Sequence, residues 1–144
     1  MGLDFNNSKA HWSYSGFNRF REKLASEIGV FLPFMEGFWN PGENSMSIID
    51  VTKRLVGEKT IKENFFWLPQ KPFKWDNIDD PIVDLLYHSD CDGELTYEEC
   101  EKIAPRLREL VKNWDDDDYD KKQALLLVEG MENCVKEKVS LEFC

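Results

Sequence analysis

The chain has 144 residues, of which 42% are hydrophobic, 32% charged and 13% aromatic, and its net charge is −10. This length and aromatic content predict one folded domain over residues 1–144 and exclude an intrinsically disordered protein. No run of 18 apolar residues is present, which excludes a membrane-spanning helix. Because the first residues lack the basic and apolar stretches of a secretory signal, we expect a cytoplasmic protein with reduced cysteines.

The first half of the chain is predicted to contain two helices. Ser13 or Ser15 can cap the first helix, Gly29 ends it, and its apolar positions follow helical spacing. These positions are Phe17, Phe20, Leu24 and Ile28. An aromatic loop follows at residues 31–42; its rings would fill the core or, if exposed, form a partner surface. A second helix is expected at about residues 45–56, and residues 58–75 fit either a helix or a strand.

The second half is predicted to contain three helices. A short one at residues 82–87 begins after Asp79-Asp80-Pro81. Thr96 and Glu99 form a capping box at the start of the next, which contains Pro105, so we expect a kink or a break there. The last helix is expected to begin in the acidic run of residues 115–118. Its apolar positions are Ala124, Leu125, Leu127, Val128, Met131 and Val135.

The two ends of the chain could form a small sheet. Residues 139–143 alternate between apolar and polar, and they could pair as strands with residues 3–5, although segments this short give only a weak strand signal. The sequence therefore predicts a mainly α fold, a single compact helical domain with a short terminal β-ribbon as a further element.

Residues 88–99 carry the one pattern typical of a metal site. With Gly93 at the sixth position, Asp90 and Asp92 take the third and fifth positions, Glu94 the seventh and Glu99 the twelfth. This segment resembles an EF-hand calcium loop, in which several oxygen ligands surround one cation. The resemblance covers about residues 82–108 and implies a helix–loop–helix. The candidate metal ligands are His88, Asp90, Asp92, Glu94, Thr96 and Glu99.

The segment departs from the EF-hand pattern in two ways. His88 stands at the first position, where the family has an aspartate, and no second loop is found to pair with this one. Three interpretations stay open. The segment is a metal-free connector in which Thr96 caps a helix, or it binds calcium weakly, or it binds manganese or zinc with His88 as a ligand.

The acidic residues are concentrated in the second half of the chain. Residues 1–75 hold 10 Lys/Arg and 8 Asp/Glu, whereas residues 76–144 hold 8 and 20. The negative charge of residues 76–144 opposes binding to nucleic acid. It would serve solubility, or it would attract a cation or a basic protein. The run Asp115–Asp118 is more typical of a helix start than of a docking site.

Three functions follow as hypotheses. The first is a small acidic, non-enzymatic binding protein with a degenerate EF-hand-like loop that binds calcium weakly. The second is an interaction or inhibitor protein, of the immunity or anti-defence type, whose acidic C-terminal half binds a basic partner. A third hypothesis is an enzyme that uses His11 or His88. His11 lies near Ser13 and Ser15, but helix capping explains these serines better than catalysis does.

The whole chain also resembles a group of small bacterial proteins. The resemblance is carried by the opening Gly-Leu-Asp-Phe, the segment His-Trp-x-Tyr-Ser-Gly-Phe, the segment His-Ser-Asp-Cys-Asp-Gly and the end Leu-Glu-Phe-Cys. It implies a bacterial or phage source and no activity. The sequence does not indicate which oligomeric state the protein has.

Overall fold

The protein is described by a computed structural model over residues 2–38 and 73–144. These ranges contain four α-helices and two short strands: α1 (Tyr14–Glu27), α2 (Val83–Leu86), β1 (Glu94–Leu95), α3 (Tyr97–Val111), α4 (Tyr119–Glu137) and β2 (Leu141–Glu142). Two 3-10 turns lie at Leu32–Phe34 and Trp75–Asn77. The mainly α prediction is confirmed. The helix expected at residues 45–56 and most of the ambiguous stretch 58–75 lie outside the described residues.

Helix α1 forms where its capping residue and apolar spacing predict it. The Ser13 hydroxyl accepts a hydrogen bond from the Gly16 N–H at 3.0 Å and so caps the helix. Phe17, Phe20 and Leu24 are fully buried on one face. The chain leaves the helix through Gly29, whose φ of +75° lies in the left-handed region that favours glycine.

Helices α3 and α4 pack against each other. A kink or a break was expected at Pro105, and the break does not occur, because helix α3 runs through this residue. Because Pro105 is exposed, the Glu101 carbonyl that loses its helical partner can be hydrated instead. In α4 the apolar position Leu125 is 37% exposed. Its neighbours Leu127 and Val128 are buried, as expected.

The two chain ends form the predicted β-ribbon. Phe5 forms an isolated antiparallel bridge with Phe143, and Asp4 exchanges backbone hydrogen bonds of 3.0 and 2.9 Å with Cys144. Strand β2 pairs in turn with β1, with Leu141 opposite Leu95. The C-terminal segment therefore connects the N-terminal segment to the end of the loop before α3.

The core is aromatic at its centre. The Trp12 and Phe20 rings stack with their centroids 4.6 Å apart, and Phe143 packs edge-on against Phe5 at 4.9 Å. Burying each such side chain stabilises the fold by roughly 1.5–3 kcal/mol. The core joins residues from near both ends of the described chain. Within the described ranges, no helix has the length and apolar character required to traverse a bilayer.

All four cysteines are free thiols. Cys100 and Cys134 are buried, as their helical positions predict. Burial raises the pKa of the Cys100 thiol to about 12, so this side chain stays protonated and unreactive at neutral pH. Cys91 and Cys144 are exposed.

Candidate functional site

The loop at residues 88–99 connects α2 to α3 and makes its sharp turn at Gly93. The φ of Gly93 is +87°, a conformation that other residues resist. Directly after it, β1 brings Leu95 into the core. The predicted capping box is confirmed: the Glu99 N–H donates to the Thr96 hydroxyl at 3.2 Å, and the Thr96 N–H donates to Glu99 Oε1 at 3.0 Å.

His88 lies across the loop and contacts its other side. Its Nε2 is 3.1 Å from the Glu94 carbonyl oxygen and its Nδ1 is 2.9 Å from the Ser89 carbonyl oxygen. The ring stacks on Phe143 with centroids 3.9 Å apart. A Cβ atom at Gly93 would lie only 3.2 Å from His88 Cε1, so the imidazole occupies the space beside the turn. It thereby joins the loop to the β-ribbon.

Asp90 and Asp92 have no such internal partners. Asp90 is half-buried and Asp92 is exposed, and neither forms a hydrogen bond or salt bridge within the part of the chain that the structure describes. The charge of Asp90 acts on Arg21. Of the six candidate ligands, the structure brings His88 to the Glu94 carbonyl and Thr96 to Glu99. Among the described residues, no three metal-ligating side chains converge. The calcium, manganese and zinc interpretations stay predictions.

Arg21 reaches the start of this loop from α1, a contact that the sequence did not predict. It is 5% exposed, and it donates a 2.6 Å hydrogen bond to the His88 carbonyl. Its guanidinium stacks on Phe17 and Phe38, at 4.8 and 5.1 Å from the ring centroids. Burial lowers the pKa of Arg21, and the charge of Asp90 partly offsets that effect. Arg21 thus provides a buried positive charge beneath the loop.

A pocket of about 660 Å³ opens beside Arg21, and we refer to it as the acidic–aromatic pocket. Its wall combines four carboxylates with three aromatic rings: Glu36, Asp76, Asp84 and Asp90, and Phe38, Trp75 and Tyr87. The 3-10 turns come together here because the Glu36 N–H donates to the Phe73 carbonyl at 2.8 Å and the Phe73 N–H donates to the Phe34 carbonyl at 2.9 Å.

Two of the three aromatic rings of the pocket, Trp75 and Tyr87, form hydrogen bonds through their polar atoms. Trp75 Nε1 donates to the Glu36 carbonyl at 2.9 Å, and the Tyr87 hydroxyl donates to Asp84 Oδ1 at 3.2 Å. Burial and the nearby Asp84 charge raise the pKa of Tyr87, so its hydroxyl remains a donor at neutral pH. Trp75 lies 5.8 Å from Tyr87 and 6.3 Å from Phe38, between ring centroids. The rings form one connected wall.

Sequence reasoning missed this pocket because its residues come from separate segments. Arg21 is in α1, Glu36 and Phe38 follow the first 3-10 turn, and Trp75 lies in a stretch whose structure was ambiguous. The one available signal was the aromatic content of residues 31–39, which indicated a partner surface only if those rings were exposed. Phe38 is in fact half-buried.

The acidic run 115–118 is used inside the fold. Asp118 caps α4 by accepting from the Asp120 N–H at 2.8 Å, and it also forms a salt bridge with Lys23. Burial alone would raise the pKa of Asp118, but these hydrogen bonds outweigh it and lower the pKa. Asp116 pairs with Lys121 at 2.7 Å. This run therefore begins a helix, as its sequence predicted.

His11 forms a pair with Asp4, with Nδ1 and Oδ1 2.8 Å apart and both side chains largely exposed. Ser13, the nearest serine in sequence, is engaged as the cap of α1. Comparisons with known proteins give no guide to the role of any of these groups: no family model, no curated protein and no solved structure matches this chain.

Proposed function

We propose that this chain is a small, non-enzymatic binding protein with a basic protein as its partner, and that the partner contacts the acidic–aromatic pocket and the adjoining loop. One observation carries the proposal. The four carboxylates line one pocket, none forms a salt bridge with a lysine or arginine of the described residues, and only Asp90 interacts with a nearby positive charge, that of Arg21. A basic partner would supply the missing positive charge.

The net charge of the pocket wall favours a positively charged partner. Arg21 is the single lysine or arginine among the wall residues that the structure describes, and its guanidinium is held by the Leu86 and His88 carbonyls. The wall therefore has an excess of negative charge. Asp92 and Glu94 extend this charge onto the loop, where both are exposed. Complementary charge of this kind speeds association and selects partners more than it adds affinity.

Selection of peptides from a random-sequence display library, at near-physiological salt, tests the proposal. This salt screens distant charges and leaves contacts that are made at short range. We expect the selected peptides to be rich in lysine and arginine. Their affinity should fall roughly tenfold, about 1.4 kcal/mol, when Asp76→Asn and Asp84→Asn are combined.

The matched control combines Asp115→Asn with Asp117→Asn. Both residues are exposed in the acidic run, and neither side chain forms a salt bridge within the described ranges. This control removes the same charge at another place, so it should leave peptide affinity unchanged. Selection of uncharged or acidic peptides, or an equal loss of affinity in both double variants, would contradict the proposal.

Weak calcium binding at residues 88–99 is a second candidate. It is favoured by the positive φ of Gly93 and by the two free carboxylates, Asp90 and Asp92. An entering cation would have to displace His88 from the Glu94 carbonyl, which predicts a low affinity. Calcium titration by calorimetry tests this, with Glu99→Gln as the variant that keeps the capping box but lacks the charge. Absence of heat at millimolar calcium would reject it.

A further inference from the structure

We propose that the acidic–aromatic pocket binds the alkylammonium side chain of a lysine from the basic partner. This inference rests on the proposed function and adds to it the chemical group that the pocket recognises. It follows from the charge of the wall, from the geometry of its rings and from the place of Arg21.

The charge of the wall favours a cation close to the carboxylates. Asp84 and Asp90 are half-buried, so their charges are less screened by water than those of fully exposed groups. Glu36 and Asp76 are exposed at the wall of the same pocket. The buried guanidinium of Arg21 lies over the Phe17 and Phe38 rings, and its Nη1 donates to the His88 carbonyl, whereas its Nε has no hydrogen-bond partner among the described residues. An anionic ligand would therefore meet four carboxylates before it reached the one positive group.

The aromatic rings favour a cation with an apolar stem. Trp75 and Tyr87 direct their polar atoms to the Glu36 carbonyl and to Asp84, which leaves ring surface for methylene groups. A lysine side chain has a chain of methylenes that packs on such surface and a charged end that stays near carboxylates. Cations within about 6 Å of an aromatic ring are further stabilised by its negative face.

The angles between the rings favour ammonium over guanidinium. The Trp75 ring is tilted by 73° from Phe38 and by 44° from Tyr87, so these pairs offer no parallel faces for a planar group. Arg21 already lies over the Phe38 ring, so this face is not open for stacking by a second planar guanidinium. Ammonium is compact and donates in three directions, which suits tilted rings and separate carboxylates.

Nuclear magnetic resonance of the folded protein with small amides tests this inference. The probes are N-acetyl-lysine methylamide, its arginine counterpart and its norleucine counterpart, which has the apolar stem without the charge. The indole N–H signal of Trp75 is assigned as the one absent from Trp75→Phe. We expect this signal to shift and saturate with the lysine amide at millimolar concentrations. Binding of the norleucine amide should be roughly tenfold weaker, and the arginine amide should also bind more weakly.

Charge removal inside and outside the pocket completes the test. Asp84→Asn keeps an acceptor for the Tyr87 hydroxyl but removes the charge, and it should weaken binding of the lysine amide about 5-fold. Asp117→Asn is the control and should leave binding unchanged. Thermal unfolding of each variant establishes that it is folded, and Asp76→Asn replaces Asp84→Asn if the latter is not.

The results separate this inference from the proposed function. Equal binding of the norleucine amide, tighter binding of the arginine amide, or no saturable shift of the Trp75 signal would each overturn the lysine assignment. If the affinity of the selected basic peptides still depended on Asp76 and Asp84, the proposed function would stand even though the lysine assignment had failed. Conversely, a lysine-specific pocket with no selected basic peptides would support the inference and contradict the proposal that the partner is a protein.

Discussion

Two acidic regions of this molecule differ in how their charges are used. In the acidic run, Asp116 and Asp118 form salt bridges with Lys121 and Lys23, and Asp118 also caps α4. In the acidic–aromatic pocket, Asp76 and Asp84 have no salt bridge to any of the described residues. Two of the four acids in the denser run are therefore paired within the fold, whereas Asp115 and Asp117 have no salt bridge among the described residues. What matters is whether the fold supplies a cation to each carboxylate.

Asp118→Ala should produce the largest loss of stability among the acidic positions. The substitution removes the cap of α4 and the salt bridge to Lys23, whose side chain is 40% exposed. Loss of the cap costs about 1–2 kcal/mol, and the half-exposed salt bridge adds less than about 1 kcal/mol. Urea unfolding measures this change. Asp117→Ala is the control, expected within about 0.5 kcal/mol of the parent protein; an equal loss would contradict the assignment.

Asp80→Asn should make stability less dependent on pH. Burial alone would raise the pKa of Asp80, but the hydrogen bonds and charge of Arg106, 2.8 Å away, outweigh it and lower the pKa. A lowered pKa contributes stability above the unfolded value of about 3.9, and this stability is lost as pH falls through the folded value.

At neutral pH the free energy of unfolding of the variant should be about 1 kcal/mol lower than that of the parent protein. As the pH falls into the acid range, it should decrease less than the parent value does. Asparagine keeps the oxygen that accepts from the Ile82 N–H, so the turn before α2 is preserved. Urea unfolding at a series of pH values checks this expectation. Asp79→Asn is the control, because Asp79 is exposed and forms no salt bridge within the described ranges. Identical pH profiles for Asp80→Asn and the parent protein would refute the role of Arg106.

His88→Asp tests the loop between the two acidic regions. Without calcium it should destabilise the protein by about 1 kcal/mol, because the stack on Phe143 and the contact with the Glu94 carbonyl are lost. With calcium it should melt at a higher temperature, since the loop then has a carboxylate at its first position. His88→Asn loses the same imidazole contacts but adds no charge. If both variants responded equally to calcium, the loop would not be the site.

Asp76→Asn should have the smallest effect on stability. This exposed pocket carboxylate has no salt bridge in the described part of the chain, so its replacement should change the free energy of unfolding by less than about 0.5 kcal/mol. Affinity for basic peptides should nevertheless fall. A loss of stability as large as that of Asp118→Ala would show that the pocket acids are structural too, and the contrast between the regions would disappear.

Local features of the sequence determined where the described helices α1 and α3 begin and how α1 ends. Ser13 begins α1, the Thr96–Glu99 capping box begins α3, and the Gly29 turn follows α1. Such features are readable because the interacting groups lie within a few residues of each other. The uninterrupted helix through Pro105 was not predicted, because it depends on tertiary packing. Helix α3 packs along α4, and Pro105 lies on its solvent-exposed side.

The tertiary structure alone decided which charges pair across long sequence separations and where a pocket opens. Lys23 meets Asp118 across 95 residues of sequence, and Arg21 meets the His88 carbonyl across 67. The partner strand of Glu94–Leu95 comes from Leu141–Glu142, where the sequence suggested only a pairing between the two ends. Contacts at such separations depend on how the helices pack together, and no local pattern of residue types encodes them. The sequence thus determined the described helices and the amount of charge, and the fold determined which of the described charges form salt bridges.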